Sequence, residues 1–292
     1  MGERDDLAER FEEQRGQLRA VAYRMLGSAS EADDAVQEAW LRLGQIDVCD
    51  VDNLAAWLRT VVTRICLDML RSRRSRREDL TGQVPDQAFE TTRGSQPEDE
   101  TLLADSVSRA LLVVLNTLDP AERIAFVLHD MFAVPFEQIA AIVERTPVAA
   151  KKLASRARHK VQGVPAVPAA ELARSRRVVS AFLIAARAGD LAAILAVLAP
   201  DVVRRADPAA LPPGAAAEVR GARAVAEGTV ALGARSQLAE LALVNGTVGV
   251  VVAPQGRLVL ALTFTISGDK ITSYDVIAEP VRLQQLDLAV LE

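Results

Sequence analysis

With 292 residues, half of them hydrophobic, the chain carries enough apolar surface for two or three separate cores. A formal net charge of -5 excludes a histone-like protein that coats nucleic acid through its overall charge, so any DNA binding must come from local clusters. The opening Met1-Gly2-Glu3-Arg4-Asp5-Asp6 has no apolar stretch, and no uncharged apolar run nears the length of a membrane span, so a soluble cytoplasmic protein is expected. The two cysteines, Cys49 and Cys66, sit in helical patterns among apolar neighbours. They are expected as buried free thiols and not as a disulfide or metal pair.

Residues 7 to about 77 repeat apolar side chains at helical spacing, with breaks only at Gly27 and over 46–52, which predicts a helical bundle. Within it, Ala32, Val36, Ala39, Trp40 and Leu43 form one buried stripe, and Asp33, Asp34, Gln37, Glu38 and Arg42 line a polar ridge. By itself such a ridge is an ordinary solvated helix face. A second stripe, Leu54, Trp57, Leu58, Val61, Val62, Ile65 and Met69, leaves Arg59, Thr63, Arg64, Asp68 and Arg71 on other faces. That helix runs into Arg71-Ser72-Arg73-Arg74-Ser75-Arg76-Arg77. Cations complement the negative end of a helix dipole, but the density of this run exceeds what capping requires and matches a phosphate-binding stripe.

Turn residues and negative charge fill 78–101, which reads as an acidic linker. Helical spacing returns over 102–161, interrupted at Leu118-Asp119-Pro120, where Asp119 suits an N-cap and Pro120 a first helical position. A short helix over 136–143, a tight Glu144-Arg145 turn and Thr146-Pro147 opening another helix give helix-turn-helix spacing. In the second helix Ala150, Leu153, Ala154, Ala157 and Val161 face inward. Val148, Ala149, Lys151, Lys152, Ser155, Arg156 and Arg158 are left as candidates for DNA contact, the small residues near its start allowing close approach to a groove.

The prolines of Gly163-Val164-Pro165-Ala166-Val167-Pro168 mark a second, shorter linker. Two helices follow over 171–198, meeting near Gly189-Asp190, and another starts after Arg220-Gly221. Four strands over 238–244, 247–253, 258–266 and 271–277 are separated by hairpin-type turns. Helices followed by an antiparallel meander predict an α+β domain.

The ordered blocks now become recognisable. Glu31-Ala32-Asp33-Asp34-Ala35-Val36-Gln37-Glu38-Ala39-Trp40-Leu41-Arg42-Leu43, then Ala56-Trp57-Leu58-Arg59-Thr60-Val61-Val62 and Asp68-Met69-Leu70-Arg71, resemble region two of bacterial extracytoplasmic-function sigma factors. Leu118-Asp119-Pro120-Ala121-Glu122-Arg123, Phe136-Glu137-Gln138-Ile139-Ala140 and Leu153-Ala154-Ser155-Arg156-Ala157-Arg158 resemble region four. The C-terminal part resembles the cone-shaped, SnoaL-like α+β domain appended to some of these factors, through Ala188-Gly189-Asp190-Leu191, Leu198-Ala199-Pro200-Asp201-Val202-Val203 and Val219-Arg220-Gly221.

The resemblance implies a multidomain chain: region two over 1–77, linker 78–101, region four over 102–162, linker 163–170 and a SnoaL-like domain over 171–292. It implies that Asp33, Asp34, Gln37, Glu38 and Arg42 bind the clamp of core RNA polymerase. Arg64, Asp68, Arg71, Arg73, Arg74, Arg76 and Arg77 would engage the melted minus-ten region. The helix from Pro147, with Val148, Ala149, Lys151, Lys152, Ser155, Arg156 and Arg158, would read the minus-thirty-five element. Arg64 and Ala150 depart from residues common in the family, and the Trp-Leu-Pro and glycine-rich motifs of one subgroup are replaced by Thr81-Gly82-Gln83-Val84-Pro85 and Asp207-Pro208-Ala209-Ala210.

Two other readings compete. A cyclase- or isomerase-type enzyme on a DNA-binding module would need a positioned acid or base, yet both histidines, His129 and His159, lie in the second helical segment. Asp201, Asp207 and Asp275 read more simply as strand-end or turn residues. A plain helix-turn-helix repressor leaves the basic run at 71–77 and the polar ridge without roles. No phosphate-cradling glycine loop, HExxH or CxxC occurs, so no cofactor, metal or catalytic group is expected. The C-terminal domain is expected to modulate the sigma module through contact within the same chain.

Overall fold

The computed structural model describes residues 3–45, 53–79, 108–212, 214–231 and 236–291; Cys49 and residues 80–101 of the acidic linker lie outside them. The chain forms two compact units, one drawn from Met1–Val107 and Leu115–His159, the other from Ser108–Val114 and Lys160–Glu292.

The first unit is helical: α1 (Glu3–Leu26), α2 (Ala29–Leu43), α3 (Leu54–Asp79), the end of α4 (Arg109–Thr117), α5 (Pro120–Phe126), a π-helical turn Val127–Met131, α6 (Phe136–Val143) and most of α7 (Pro147–Gln162). Helices α1, α2 and α3 pack together over Val21, Met25, Ala32, Val36, Leu43, Leu58, Val62 and Ile65. The expected stripes are the faces that bury, although Trp40, Trp57, Val61 and Met69 stay half-exposed at their margins. Thr63 departs from expectation: it is fully buried, and its hydroxyl donates to the Arg59 carbonyl one turn back, which satisfies it without water. Helix α3 also packs against α5 and α6, so the two predicted sigma regions share this unit. Ser28 caps α2 by accepting from the Glu31 amide at 3.4 Å.

The second unit is α+β. Helices α8 (Ala169–Ala188), α9 (Leu191–Val197) and α10 (Ala222–Ala231) accompany a seven-stranded sheet of order β2-β1-β6-β5-β4-β3-β7. Its strands are β1 (Leu198–Ala206), β2 (Glu218–Arg220), β3 (Ala239–Val244), β4 (Thr247–Val252), β5 (Leu260–Ser267), β6 (Lys270–Ile277) and β7 (Leu288–Ala289), with a short α11 (Pro280–Gln284) before the last. The meander β3 to β6 is antiparallel as expected, but β1 joins β6 in parallel, so the sheet is mixed. Val178, Phe182, Ile194, Val202, Val225, Ile271 and Tyr274 form the core between helices and sheet. The segment read as a second linker is bound to the β3–β4 turn, its Ala166 amide donating to the Gly246 carbonyl at 2.7 Å, and just before it the Val161 carbonyl at the end of α7 accepts from the Val290 amide at 2.8 Å. Gly163 makes that course possible, because at φ +62° a side chain would be strained and its Cβ would collide with the Ala289 Cβ.

Candidate polymerase and nucleic-acid interface

Burial of Ala32, Ala35, Val36, Ala39 and Leu43 turns the other face of α2 outward. Asp33, Asp34, Gln37 and Arg42 are exposed and Glu38 is half-buried. The five do not stand alike. Arg19 of α1 grips Asp33 through two bonds of 2.7 and 3.1 Å, and Arg42 binds Glu38 at 2.9 Å one turn away. Asp34 and Gln37 make no ion pair among the described residues. Leu41, 53% exposed beside Arg42, is an apolar member of this surface that periodicity placed off the buried stripe without giving it a role.

Helix α3 remains helical to Asp79, so the whole run from Arg71 to Arg77 is presented on a helix. Asp68 and Arg71 are exposed and form a loose pair at 3.9 Å. Arg64 is exposed and donates to the Ala141 carbonyl of α6 at 3.3 Å. Arg73 donates to the Leu26 carbonyl at 3.1 Å and pairs with Glu31, which places it on the α1–α2 junction. Arg74, Arg76 and Arg77 fall on the same helix; their side chains lie outside the described atoms.

The helix-turn-helix has the expected geometry. Glu144, at φ +57°, ends α6 in the left-handed conformation, and Thr146 Oγ1 accepts from the Ala149 amide at 3.2 Å to start α7. Ala150, Ala154, Ala157 and Val161 bury the inner face. Val148, Lys151, Lys152, Ser155 and Arg156 are exposed, with Ala149 and Arg158 half-buried. Two of the arginines have internal acceptors: Arg156 binds the buried Glu122 carboxylate of α5 at 3.0 Å, and Arg158 binds Asp130 at 2.8 Å. Lys151 and Lys152 make no ion pair among the described residues.

Sequence reasoning quoted Arg123 in a motif but gave it no task. It is 2% exposed, donates to the Met25 carbonyl at the end of α1 at 2.7 Å, and also binds Asn116 Oδ1. Its charge acts on Cys66 of α3, whose thiol burial nonetheless pushes up to about 12, leaving an unreactive neutral sulfur. No spacing signal identifies this partner, 98 residues away.

In the second unit the three aspartates separate. Asp201 and Asp275 lie within β1 and β6 and are not strand-end or turn residues; Asp275 stands in register beside Arg205, whose guanidinium pairs with Glu218 of β2 at 3.1 Å. Asp207 follows β1 and is buried. Burial alone would raise its pKa, but the amides of Glu279 and Ala278 and the Arg282 guanidinium outweigh that and hold it below its ordinary value. Those bonds tie α11 to the end of β1. Tyr274 and Thr229 hydroxyls meet at 3.1 Å beside Phe182 and Phe264. Glu240 of β3 faces the start of α4: Oε2 accepts from Ser108 Oγ at 2.6 Å and from the Ala110 amide at 3.0 Å, with Arg109 at 3.5 Å from Oε1. The described residues hold no cluster of three metal-ligating side chains, and no described helix is long and apolar enough to cross a membrane.

A three-helix bundle with a polar ridge, a basic helix end and a separate helix-turn-helix define a sigma-type initiation module. Residues 10–76 match the Sigma-70 region 2 model and residues 108–161 the Sigma-70 region 4 model. The chain is 39% identical to the extracytoplasmic-function RNA polymerase sigma factor SigJ of Mycobacterium tuberculosis over 82% of its length and 78% of the relative's. It is 37% identical to a probable factor of the same kind, SigI, from that species over 71% of this chain and 72% of the other. The crystal structure of SigJ aligns over 95% of this chain and 98% of its own, at 33% identity and a TM-score of 0.46. The chain therefore belongs to the extracytoplasmic-function RNA polymerase sigma factors, which are transcription initiation subunits and not enzymes.

Proposed function

We propose that this sigma factor acts in the cytoplasm, that the α2 ridge of Asp33, Asp34, Gln37, Glu38 and Arg42 docks on the clamp of core polymerase, and that α3 and α7 engage the two promoter elements. Arg64, Asp68, Arg71, Arg73, Arg74, Arg76 and Arg77 take the minus-ten side. Val148, Ala149, Lys151, Lys152, Ser155, Arg156 and Arg158 take the minus-thirty-five side. The observation that supports this division is the outward face of α2, fixed by six buried residues, together with the exposed lysines on a different helix, α7. The domain over 171–292 modulates initiation, a reading supported by Glu240, whose carboxylate holds the first turn of α4.

Two comparisons test the proposal with purified core polymerase and a promoter library. Charge reversal at Asp34 and Glu38 is expected to preserve helix content and reduce co-purification with core; unchanged co-purification would refute the clamp assignment. Cutting the chain ahead of Gly163 is expected to change promoter-specific transcript yield. A cut chain that initiates like the intact one would refute modulation.

A further inference from the structure

Helix α7 buries Ala150, Ala154 and Ala157, so the residues of opposite phase, Val148, Lys152, Ser155 and His159, share its outward face. The last three are polar. Val148 is not, yet it is 68% exposed in the first turn, directly after Pro147. Local structure gives no reason for a valine there: its branched side chain is a poorer helix former than alanine or glutamate, and an exposed isopropyl group gains nothing from burial. The position itself is well defined. Thr146 Oγ1 accepts from the Ala149 amide at 3.2 Å and the Thr146 carbonyl from the Ala150 amide at 2.9 Å, so the first turn presents Val148 from a capped helix.

The residues that open the second helix of a helix-turn-helix are the ones that meet base edges in the major groove. Every group displayed on those edges is a hydrogen-bond donor or acceptor except one, the C5 methyl of thymine. A valine offers neither donor nor acceptor. Against guanine, adenine or cytosine it would displace water from polar atoms without replacing the lost hydrogen bonds, whereas against thymine it gains an apolar contact. Its neighbours are not rivals for this contact: Ala149 is half-buried, Lys152 lies one turn further along, and Arg156 and Arg158 are held by Glu122 and Asp130.

Resting on the assignment of α7 to the minus-thirty-five element, we propose that Val148 is a specificity-determining residue that selects thymine at one position of that element through its C5 methyl. Lysines bind phosphates whatever the sequence, so Lys151 and Lys152 supply affinity and Val148 supplies discrimination.

The test uses the full chain bound to core polymerase. A promoter is selected from a library, and each thymine of its minus-thirty-five element, on either strand, is replaced singly by deoxyuridine, which deletes the methyl and leaves base pairing intact. The wild-type holoenzyme is expected to lose about fourfold in promoter affinity at one of these positions, the fold-change of one buried methyl group, and to be indifferent at the others. Val148→Ala, whose shorter side chain falls short of the methyl, is expected to bind the thymine and deoxyuridine promoters equally at that position. It should also tolerate other base pairs there while keeping wild-type discrimination elsewhere in the element. Because Val148 is exposed, the substitution leaves the core of the helix-turn-helix intact, which an unchanged thermal midpoint checks. Wild-type indifference to every deoxyuridine, a selected element without a T·A pair, or a Val148→Ala chain that stays sensitive at the same position would each overturn the proposal. Failure of the underlying reading looks different: a holoenzyme that selects no sequence at all in the minus-thirty-five region refutes the placement of α7, and the Val148 contact with it.

Discussion

Glu240→Ala removes the carboxylate at the start of α4 and nothing from the core of the sheet, since the side chain is directed at Ser108, Arg109 and Ala110. The magnitude follows from three modest contributions. A carboxylate accepting an N-terminal amide acts as a cap, contributing about 1 kcal/mol. Its charge at the positive end of the helix adds about 0.5 kcal/mol. The Arg109 pair, with side chains 34% and 23% exposed, adds about 0.5 kcal/mol after solvent screening. Together about 2 kcal/mol corresponds to a roughly 30-fold increase in local opening. Hydrogen exchange read on a peptide containing the Ala110 amide should lose protection by that factor while β4 and β5 keep theirs. Glu240→Gln, which retains an oxygen acceptor but loses the charge, should lose about half as much free energy. Unchanged protection at Ala110 in the alanine variant would refute the capping role, and with it the support Glu240 gives to modulation.

Asp207→Asn keeps an acceptor for the Ala278 and Glu279 amides but leaves Arg282 without its counter-charge, so a loss of about 1.5–3 kcal/mol is expected in thermal or urea unfolding. Because the folded-state pKa of Asp207 is lowered, its contribution is complete above the ordinary carboxylate range and disappears as pH falls through the lowered value; the gap between wild type and variant should therefore close in acid. Cys66, held protonated by burial, should resist alkylation at neutral pH until the chain unfolds; peptide-resolved mass spectrometry showing rapid modification in the native protein would contradict its placement. Lys152→Gln should weaken promoter-dependent initiation similarly across sequences and make the logarithmic salt slope shallower by about 1, whereas Arg156→Gln should also destabilise the fold by about 1 kcal/mol because it removes one charged partner, itself largely exposed, from the buried Glu122. Equal stability of the two variants would argue against a structural role for Arg156.

Helical periodicity located α2, α3, α6 and α7 because each buries one stripe against a single core, and the Thr146-Pro147 pair marked the start of α7 through a capping rule that acts locally. The four-strand meander was legible for a similar reason: turns such as Asn245-Gly246 punctuate runs of β-branched residues. Strand β1 was not, since Leu198-Ala199-Pro200-Asp201 looks like a helix end and loop, and its parallel pairing with β6 joins segments some seventy positions apart. Strands β2 and β7, of three and two residues, are too short to carry a period. Among the candidate site residues, the sequence identified which faces α2 and α7 would expose. It did not reveal that Arg64, Arg73, Arg156 and Arg158 have acceptors within the chain, because Ala141, Leu26, Glu122 and Asp130 become their neighbours only after helices pack. Arg123 and Glu240 were missed on the same ground: each acts on a helix terminus supplied by distant sequence.

These internal acceptors also bear on how a chain of net charge -5 handles DNA. A basic helix end that was free at all times would bind any duplex through its phosphates, with an affinity set by salt and not by sequence. Arg73 instead shares Glu31, Arg156 shares Glu122 and Arg158 shares Asp130, so part of the positive surface is neutralised within the folded chain. Displacing a carboxylate by a phosphate conserves the guanidinium's hydrogen-bonding geometry, and the exchange becomes favourable only where several phosphates are presented together in the right register. Occupation of Arg64 by the Ala141 carbonyl acts in the same direction. On the proposed assignment, Lys151 and Lys152, outside these pairs, would make first contact, and the paired arginines would engage once α7 is positioned. On that assignment the charge pairs would bias the molecule against random DNA while keeping these arginines on the chain for a promoter.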